Sequence, residues 1–462
     1  MTDYAALLRA DEGQPARALY VVDKAGLEDW LAGQPQRVRA ALNAQGFKAA
    51  ANTLAVSPGD DPDDWSAVAG VADVARLGSW CLAKAASLPG GTYRLANSVS
   101  GAAALGWLLA QYRFDRYRKA EDDGSRILLT SDDMIARHVA AAQAVSLIRD
   151  LVNTAAADMG PQQLEDVAAT LANDHGAAFT VSRGEALDAG YPMIAAVGRA
   201  ADPAYAPRLI ELEWGDPAHP RVAIVGKGVS FDSGGLDIKP ASGMRLMKKD
   251  MGGAAHALAL ARLIMGAKLP VRLHLLVPAV ENAISGNAFR PGDVLRSRAG
   301  LSVEVHNTDA EGRLLLGDAL TRAFEDAPAL VVDFATLTGA ARVALGPDLP
   351  AMFANADATA DALLDAGRTT GDPLWRMPLW SGYDEMLKSD IADLANASDS
   401  PFAGAVTAAL FLKRFVPEGR DWVHIDTFAW MPADRPGRPK GGEALGLRAV
   451  FSMLAERYAT AP

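Results

Sequence analysis

At 462 residues, half of them apolar, the chain exceeds what one core usually holds, and two domains are expected. The formal net charge of −11 argues against a nucleic-acid surface as the main business, and the single cysteine, Cys81, excludes an internal disulfide and a thiolate-clustered zinc site. There is no apolar run of about eighteen residues, and MTDYAALLRADEG lacks the basic start and apolar stretch of a signal peptide, so a cytoplasmic protein without a membrane segment is expected.

Residues 1–130 alternate extended runs with helical patterns: LYVVD, a helix from about Leu27 to Ala44, NTLAVS, and a helical stretch from about Trp65 to Ala86. They predict a smaller α/β domain. Asp60, Asp61, Asp63 and Asp64, beside Gly59 and interrupted by Pro62, read as a solvated turn and not a metal site. Ser131, Asp132 and Asp133 open a helix whose stripe of Met134, Ile135, Val139, Ala142, Leu147, Ile148 and Leu151 predicts a connecting element over 131–155, of about five turns. Pro161 suits the first position of the next helix. Over 156–462 the runs AFTVS, RLIELEW, RVAIVG, VRLHLLVP, LSVEVH, ALVVDFAT and DWVHIDTF alternate with helices, which predicts a larger α/β domain with a central mixed sheet.

The chemistry concentrates between Val222 and Arg313, where apolar runs give way to Gly-rich or polar turns and then to helices. An open α/β sheet puts its ligands there, beyond the carboxyl ends of the strands. Asp232 precedes Ser233, Gly234 and Gly235, where the backbone can come close to a ligand. Asp250 stands at or just ahead of the start of the helix MGGAAHALALARLI. Asp309 and Glu311 lie two apart after VEVH, and in an extended segment that spacing points both side chains the same way.

Four acids in one cleft repel one another and stay ionised only if cations neutralise them. A pair of divalent ions suits such a set better than one. The seven histidines show no HExxH and no pair at ligand spacing, and His306 beside the motif reads as structural. Oxygen-dominated ligation suits manganese or magnesium, with zinc also open. Lys227, between Gly226 and Gly228, lacks the GxxxxGK[ST] context of a phosphate loop; beside metal ions it could instead lose its proton and act as a nitrogen ligand. Lys239, in LDIKP, is better placed to stabilise an oxyanion.

VGKGVSFDSGGLDIKP, KKDMGGAA and NTDAEGRLLLGDAL resemble the signature segments of the leucyl aminopeptidase (cytosol aminopeptidase) family, with echoes in ISGNAFRPGDVL, DFATLTGA and LKSDIADLANAS. The resemblance implies a dinuclear metallo-aminopeptidase with two Mn2+, Zn2+ or Mg2+ ions, held by Lys227, Asp232, Asp250, Asp309 and Glu311. Asp232 and Glu311 would bridge the two ions. It further implies that Lys239 and Arg313 are catalytic, Arg313 holding bicarbonate as general base. Met247, Asn307, Ala310, Thr336, Leu337 and Gly339 would line the substrate cleft. Peptides with a free N-terminus and a homohexamer with sites facing an inner cavity are implied too. Phe428, in HIDTFAWM, departs from the small residues common there and would narrow the pocket for the first residue. Two other classes share the carboxylate chemistry: a dinuclear phosphoesterase, and a regulatory or binding protein on the same fold. The absence of a phosphate-cradling loop argues against the first, and the complete ligand set against the second.

Overall fold

The structure, a computed structural model, describes residues 2–61, 63–119 and 123–458, without the side chains of 132 and 134. Pro62 and the side chains of Asp132 and Met134, named above, lie outside the described residues. The chain forms two compact units, Met1–Ser146 with Ala433–Lys440, and Leu147–Pro432 with Gly441–Pro462.

The first unit carries β1 (Leu8–Ala10), β2 (Arg17–Val22), β3 (Thr53–Pro58), β4 (Trp65–Gly70), β5 (Gly91–Leu95) and β6 (Arg126–Thr130), in the order β1-β6-β5-β2-β4-β3. Only β3 runs antiparallel to its neighbour, so the sheet is mixed. Two expectations fail here. WSAVAG, read as the start of a helix, is strand β4, because it pairs with β2 on one side and β3 on the other; ladder pairing overrides the helical preference of its alanines. The helix expected over Leu27–Ala44 is two, Leu27–Ala32 and Gln36–Ala44, broken where Gly33 and Pro35 interrupt the ladder of hydrogen bonds. Asp60, Asp61, Asp63 and Asp64 are exposed, as a solvated turn requires.

A 22-residue helix, Asp132–Asn153, links the two domains; it is about six turns long. The second unit contains β7 (Ala178–Ser182), β8 (Arg208–Trp214), β9 (Arg221–Gly226), β10 (Gly228–Asp232), β11 (Arg272–Asn282), β12 (Val294–Arg296), β13 (Ser302–Glu304), β14 (Leu330–Ala335), β15 (Ala351–Ala354), β16 (Trp375–Arg376), β17 (Leu394–Ala395) and β18 (Trp422–Asp426). Nine of these make the main sheet, ordered β16-β15-β18-β14-β9-β11-β8-β7 with β10 beside β11. Its centre, β11-β9-β14-β18, is parallel, and β8 and β15 flank it antiparallel. Such a centre is buried on both faces, which is why RVAIVG and LVVDFA are continuous apolar runs and not alternating ones.

The helices Gly252–Gly266 and Gly312–Glu325 pack against this centre, and both start at the carboxyl ends of its strands. The first approaches so closely that a Cβ on Gly253 would lie 2.2 Å from the Phe334 carbonyl oxygen and 2.8 Å from the Lys227 nitrogen. No rotamer relieves a clash with backbone. Gly253→Ala is therefore expected to lower stability by about 2–3 kcal/mol, read from urea unfolding at constant m-value.

Candidate metal centre

Parallel strands share one direction, so their last residues gather along one edge. Lys227 follows β9, Asp232 ends β10, Asn282 ends β11, Thr336 follows β14 and Asp426 ends β18. Two helix starts supply the rest. Asp250 sits in the short 3-10 turn Met247–Met251, just ahead of the helix Gly252–Gly266, and Glu311 immediately precedes Gly312–Glu325.

Carboxylate oxygens of Asp232, Asp309 and Glu311 come within 4.8 Å of one another, a group able to hold a metal ion. The extended segment expected between Asp309 and Glu311 is not there: Asp309 lies in a turn and Glu311 has helical dihedrals, φ −75° and ψ −36°. The turn, and not strand alternation, brings the two side chains together. Gly234 and Gly235 adopt φ of +87° and +65°, which disfavours side chains, and they fold the backbone over Asp232, whose Oδ1 accepts from the Gly234 nitrogen at 2.9 Å.

Two lysines thread the cluster. Lys227 Nζ lies 2.7 Å from Asp250 Oδ2 and 2.8 Å from Glu311 Oε1, while Lys239 Nζ lies 2.8 Å from Asp232 Oδ2 and also contacts Asp309 Oδ1. The Glu311 and Asp309 contacts are ion pairs with these ammonium groups. Four carboxylates face two ammonium groups, and the excess is negative.

The protonation equilibria register that excess. Burial and the neighbouring Asp232 charge push Glu311 up to about 8 and Asp309 up to about 6. Burial pulls Lys227 and Lys239 down, but the surrounding carboxylates outweigh it and hold both above the usual lysine value. Asp250 is pulled down: the Lys227 and Lys249 charges beside it overcome its burial. The donor set therefore fits divalent cations, which would relieve the repulsion that holds protons on Glu311 and Asp309.

The remaining predicted residues line one cavity of about 490 Å³: Met247, Asn307, Ala310, Thr336, Leu337 and Gly339, with Lys227, Asp232, Lys239, Asp250, Asp309 and Arg313. Glu311 lies behind it, 1% exposed. Arg313 is buried, which lowers it to about 10; Nη1 donates to the Asn396 carbonyl oxygen at 2.6 Å, and Nε has no partner.

Sequence reasoning missed the residues that hold this loop in shape. Asn396, fully buried, accepts from the His306 and Asn307 nitrogens at 2.8 and 3.2 Å and donates to the Asn307 and Ala310 carbonyls at 2.7 and 3.2 Å. Asn282 Nδ2 ties Asp232 Oδ1 to the Thr308 carbonyl at 2.8 and 3.1 Å. Asp426 accepts from the Leu337 and Thr338 nitrogens at 3.0 and 3.2 Å, setting the turn that borders the cavity. Asn396 falls inside the LANAS echo, the one signal that pointed to it. His306 Nε2 sits 3.2 Å from Glu304 Oε2.

Residues 146–451 match the model of the cytosol aminopeptidase family catalytic domain, and residues 18–130 that of the M17 aminopeptidase N-terminal domain. The chain belongs to the cytosol aminopeptidase family. It is 44% identical over 372 residues, 76% of this chain and 74% of the relative, to a probable cytosol aminopeptidase of Syntrophotalea carbinolica. The crystal structure of the cytosol aminopeptidase of Coxiella burnetii superposes with a TM-score of 0.93 at 45% identity, covering 98% of this chain and 99% of that one. The bottromycin maturation enzyme BotP in complex with Mn gives 0.85 at 32% identity, covering 98% and 100%. As a member of the cytosol aminopeptidase family, the protein is a metal-binding exopeptidase of the aminopeptidase class. Among the described residues no helix is long and apolar enough to cross a membrane.

Because Glu311 and Asp309 must give up protons to ligate, cation binding to the metal-free protein should tighten as pH rises. Between about pH 6 and about pH 8.5 the apparent Mn2+ affinity is expected to rise at least about tenfold, with protons released, measured calorimetrically in buffers of different ionisation enthalpy. A flat profile would contradict the coupled cluster.

Proposed function

We propose that this aminopeptidase removes the N-terminal residue from peptides at a dinuclear centre held by Lys227, Asp232, Asp250, Asp309 and Glu311. The observation that carries the reading is the convergence of Asp232, Asp309 and Glu311 oxygens within 4.8 Å, at a cluster whose carboxylates outnumber its lysines. When bound, two divalent ions, Mn2+, Zn2+ or Mg2+, supply Lewis acidity and an activated water at neutral pH.

The chain's own residues do the rest. Lys227 is held as an ammonium by Asp250 and Glu311, and serving as a nitrogen ligand requires it to lose that proton. Lys239 keeps its charge against the cluster and stabilises the oxyanion that develops on the scissile carbonyl. Arg313, with an unpartnered Nε facing low-dielectric surroundings, holds an anion, bicarbonate in this reading, that serves as general base. The backbone at Leu337 and Gly339 hydrogen-bonds the substrate, with Asp426 fixing the turn. Met247 and Thr336 border the first side chain, and Asn307 and Ala310 complete the cleft.

We further propose a cytoplasmic homohexamer with its sites turned to an inner cavity; sedimentation should give about six times the 48.5 kDa chain mass.

On aminoacyl p-nitroanilides with Mn2+, chelation is expected to abolish release and Asp309→Ala to leave under about 1% of kcat/KM. Lys239→Met should lower kcat by about 100- to 1000-fold with bound metal unchanged, since an oxyanion contact acts mainly in the transition state. Activity that survives both chelator and Asp309→Ala would overturn the proposal.

A further inference from the structure

The charges lining the cavity do not all find partners. Lys227 and Lys239 are engaged by the four carboxylates, Arg313 donates to Asn396, and Asp426 is taken by Leu337 and Thr338. Two cations remain, Lys249 and Arg342, and both lie against the ring of Phe428. Lys249 Nζ is 5.2 Å from the ring centre and Arg342 Cζ is 4.7 Å from it. Lys249 is 5% exposed, and among the described residues its one carboxylate contact is Asp250 Oδ1 at 3.8 Å, too long for a hydrogen bond. Arg342, at the surface end of the same wall, has no carboxylate within ion-pair distance among the described residues.

A buried ammonium without a hydrogen-bonding partner is costly, and an aromatic face compensates it only in part. Phe428 lines this wall, and the two positive groups against its ring, Lys249 and Arg342, line the same cavity. Apolar first residues would leave Lys249 desolvated, with only its long contact to Asp250. A carboxylate would pair with it.

We infer that the pocket at Phe428 selects an acidic first residue, aspartate or glutamate, through Lys249 and Arg342. The inference rests on the aminopeptidase reading above and names the substrate class of that site. Lys249 and Arg342 are specificity residues; neither touches the reacting atoms. Selection by a buried charge without a hydrogen-bonded acid works in both directions, favouring the complementary side chain and penalising apolar or basic ones.

The same cations could meet the C-terminal carboxylate of a short peptide, so the test uses substrates without one. The Mn2+-loaded full chain is assayed on glutamyl, aspartyl, leucyl and lysyl p-nitroanilides. In the wild type, kcat/KM for the acidic anilides should equal or exceed that for the leucyl one. Lys249→Met should lower the glutamyl-to-leucyl ratio by about tenfold or more and Arg342→Met by about threefold, and Arg342→Glu should raise the lysyl-to-glutamyl ratio. Arg342 is exposed and away from the carboxylate cluster, so its variants test the inference even if Lys249→Met does not fold. A wild-type preference for leucyl or lysyl anilides, or ratios unmoved in the Arg342 variants, would overturn it. So would an Arg342→Met effect confined to dipeptides, which would assign the cations to the C-terminal carboxylate. Cleavage of none of the anilides would instead overturn the aminopeptidase reading beneath it.

Discussion

Electrostatic repulsion among Asp232, Asp250, Asp309 and Glu311 constrains everything around them. At an effective dielectric of about 20, two unit charges 4 Å apart cost about 4 kcal/mol, more than a typical hydrogen bond returns. Such a group persists only because it is over-determined: Lys227 and Lys239 share it out in pairs, and backbone and amide donors such as Gly234 and Asn282 hold Asp232 in place. The lysines neutralise half of the formal charge. What they leave is the driving force for divalent cations.

The fold supplies the rigidity this requires. The carboxyl ends of β9, β10, β14 and β18 fix four of the contributing positions to within the tolerance of a buried sheet, and two helices add the others from their first turns. Close packing follows from small residues: Gly253 lets a helix touch the backbone at Phe334 and Lys227. The site is thus as stiff as the core beneath it. Pre-organisation of this kind suits a centre that must hold its ligands against their own repulsion.

Around the centre, charge decides chemistry twice. Lys227 and Lys239, set among carboxylates, are held above the usual lysine value and remain cations, whereas Lys249, one residue from Asp250, finds an aromatic ring in place of an aligned acid. The same residue type, at neighbouring positions, is committed to different tasks by its surroundings. Phe428 links the two regions, since it lines the cavity and lies against both Lys249 and Arg342.

Much of this was legible in the residues. The apolar runs before Lys227 and Thr336 announced strands of a central mixed sheet, the Ser-Gly-Gly after Asp232 announced a close backbone, and the acid–lysine–arginine set with its resemblance announced the family. Local pattern failed where tertiary partners decide: WSAVAG is a strand only because β2 and β3 lie on either side, and Asp309 and Glu311 converge through a turn that Asn396 holds from ninety residues away in the chain. The sequence by itself determined which groups carry charge and which segments are buried, since composition and periodicity encode both. Only the tertiary structure decided which charges meet, that Lys227 and Lys239 lie within 2.8 Å of their acids and Lys249 only 3.8 Å from Asp250, because pairing depends on distances between segments that no local pattern contains.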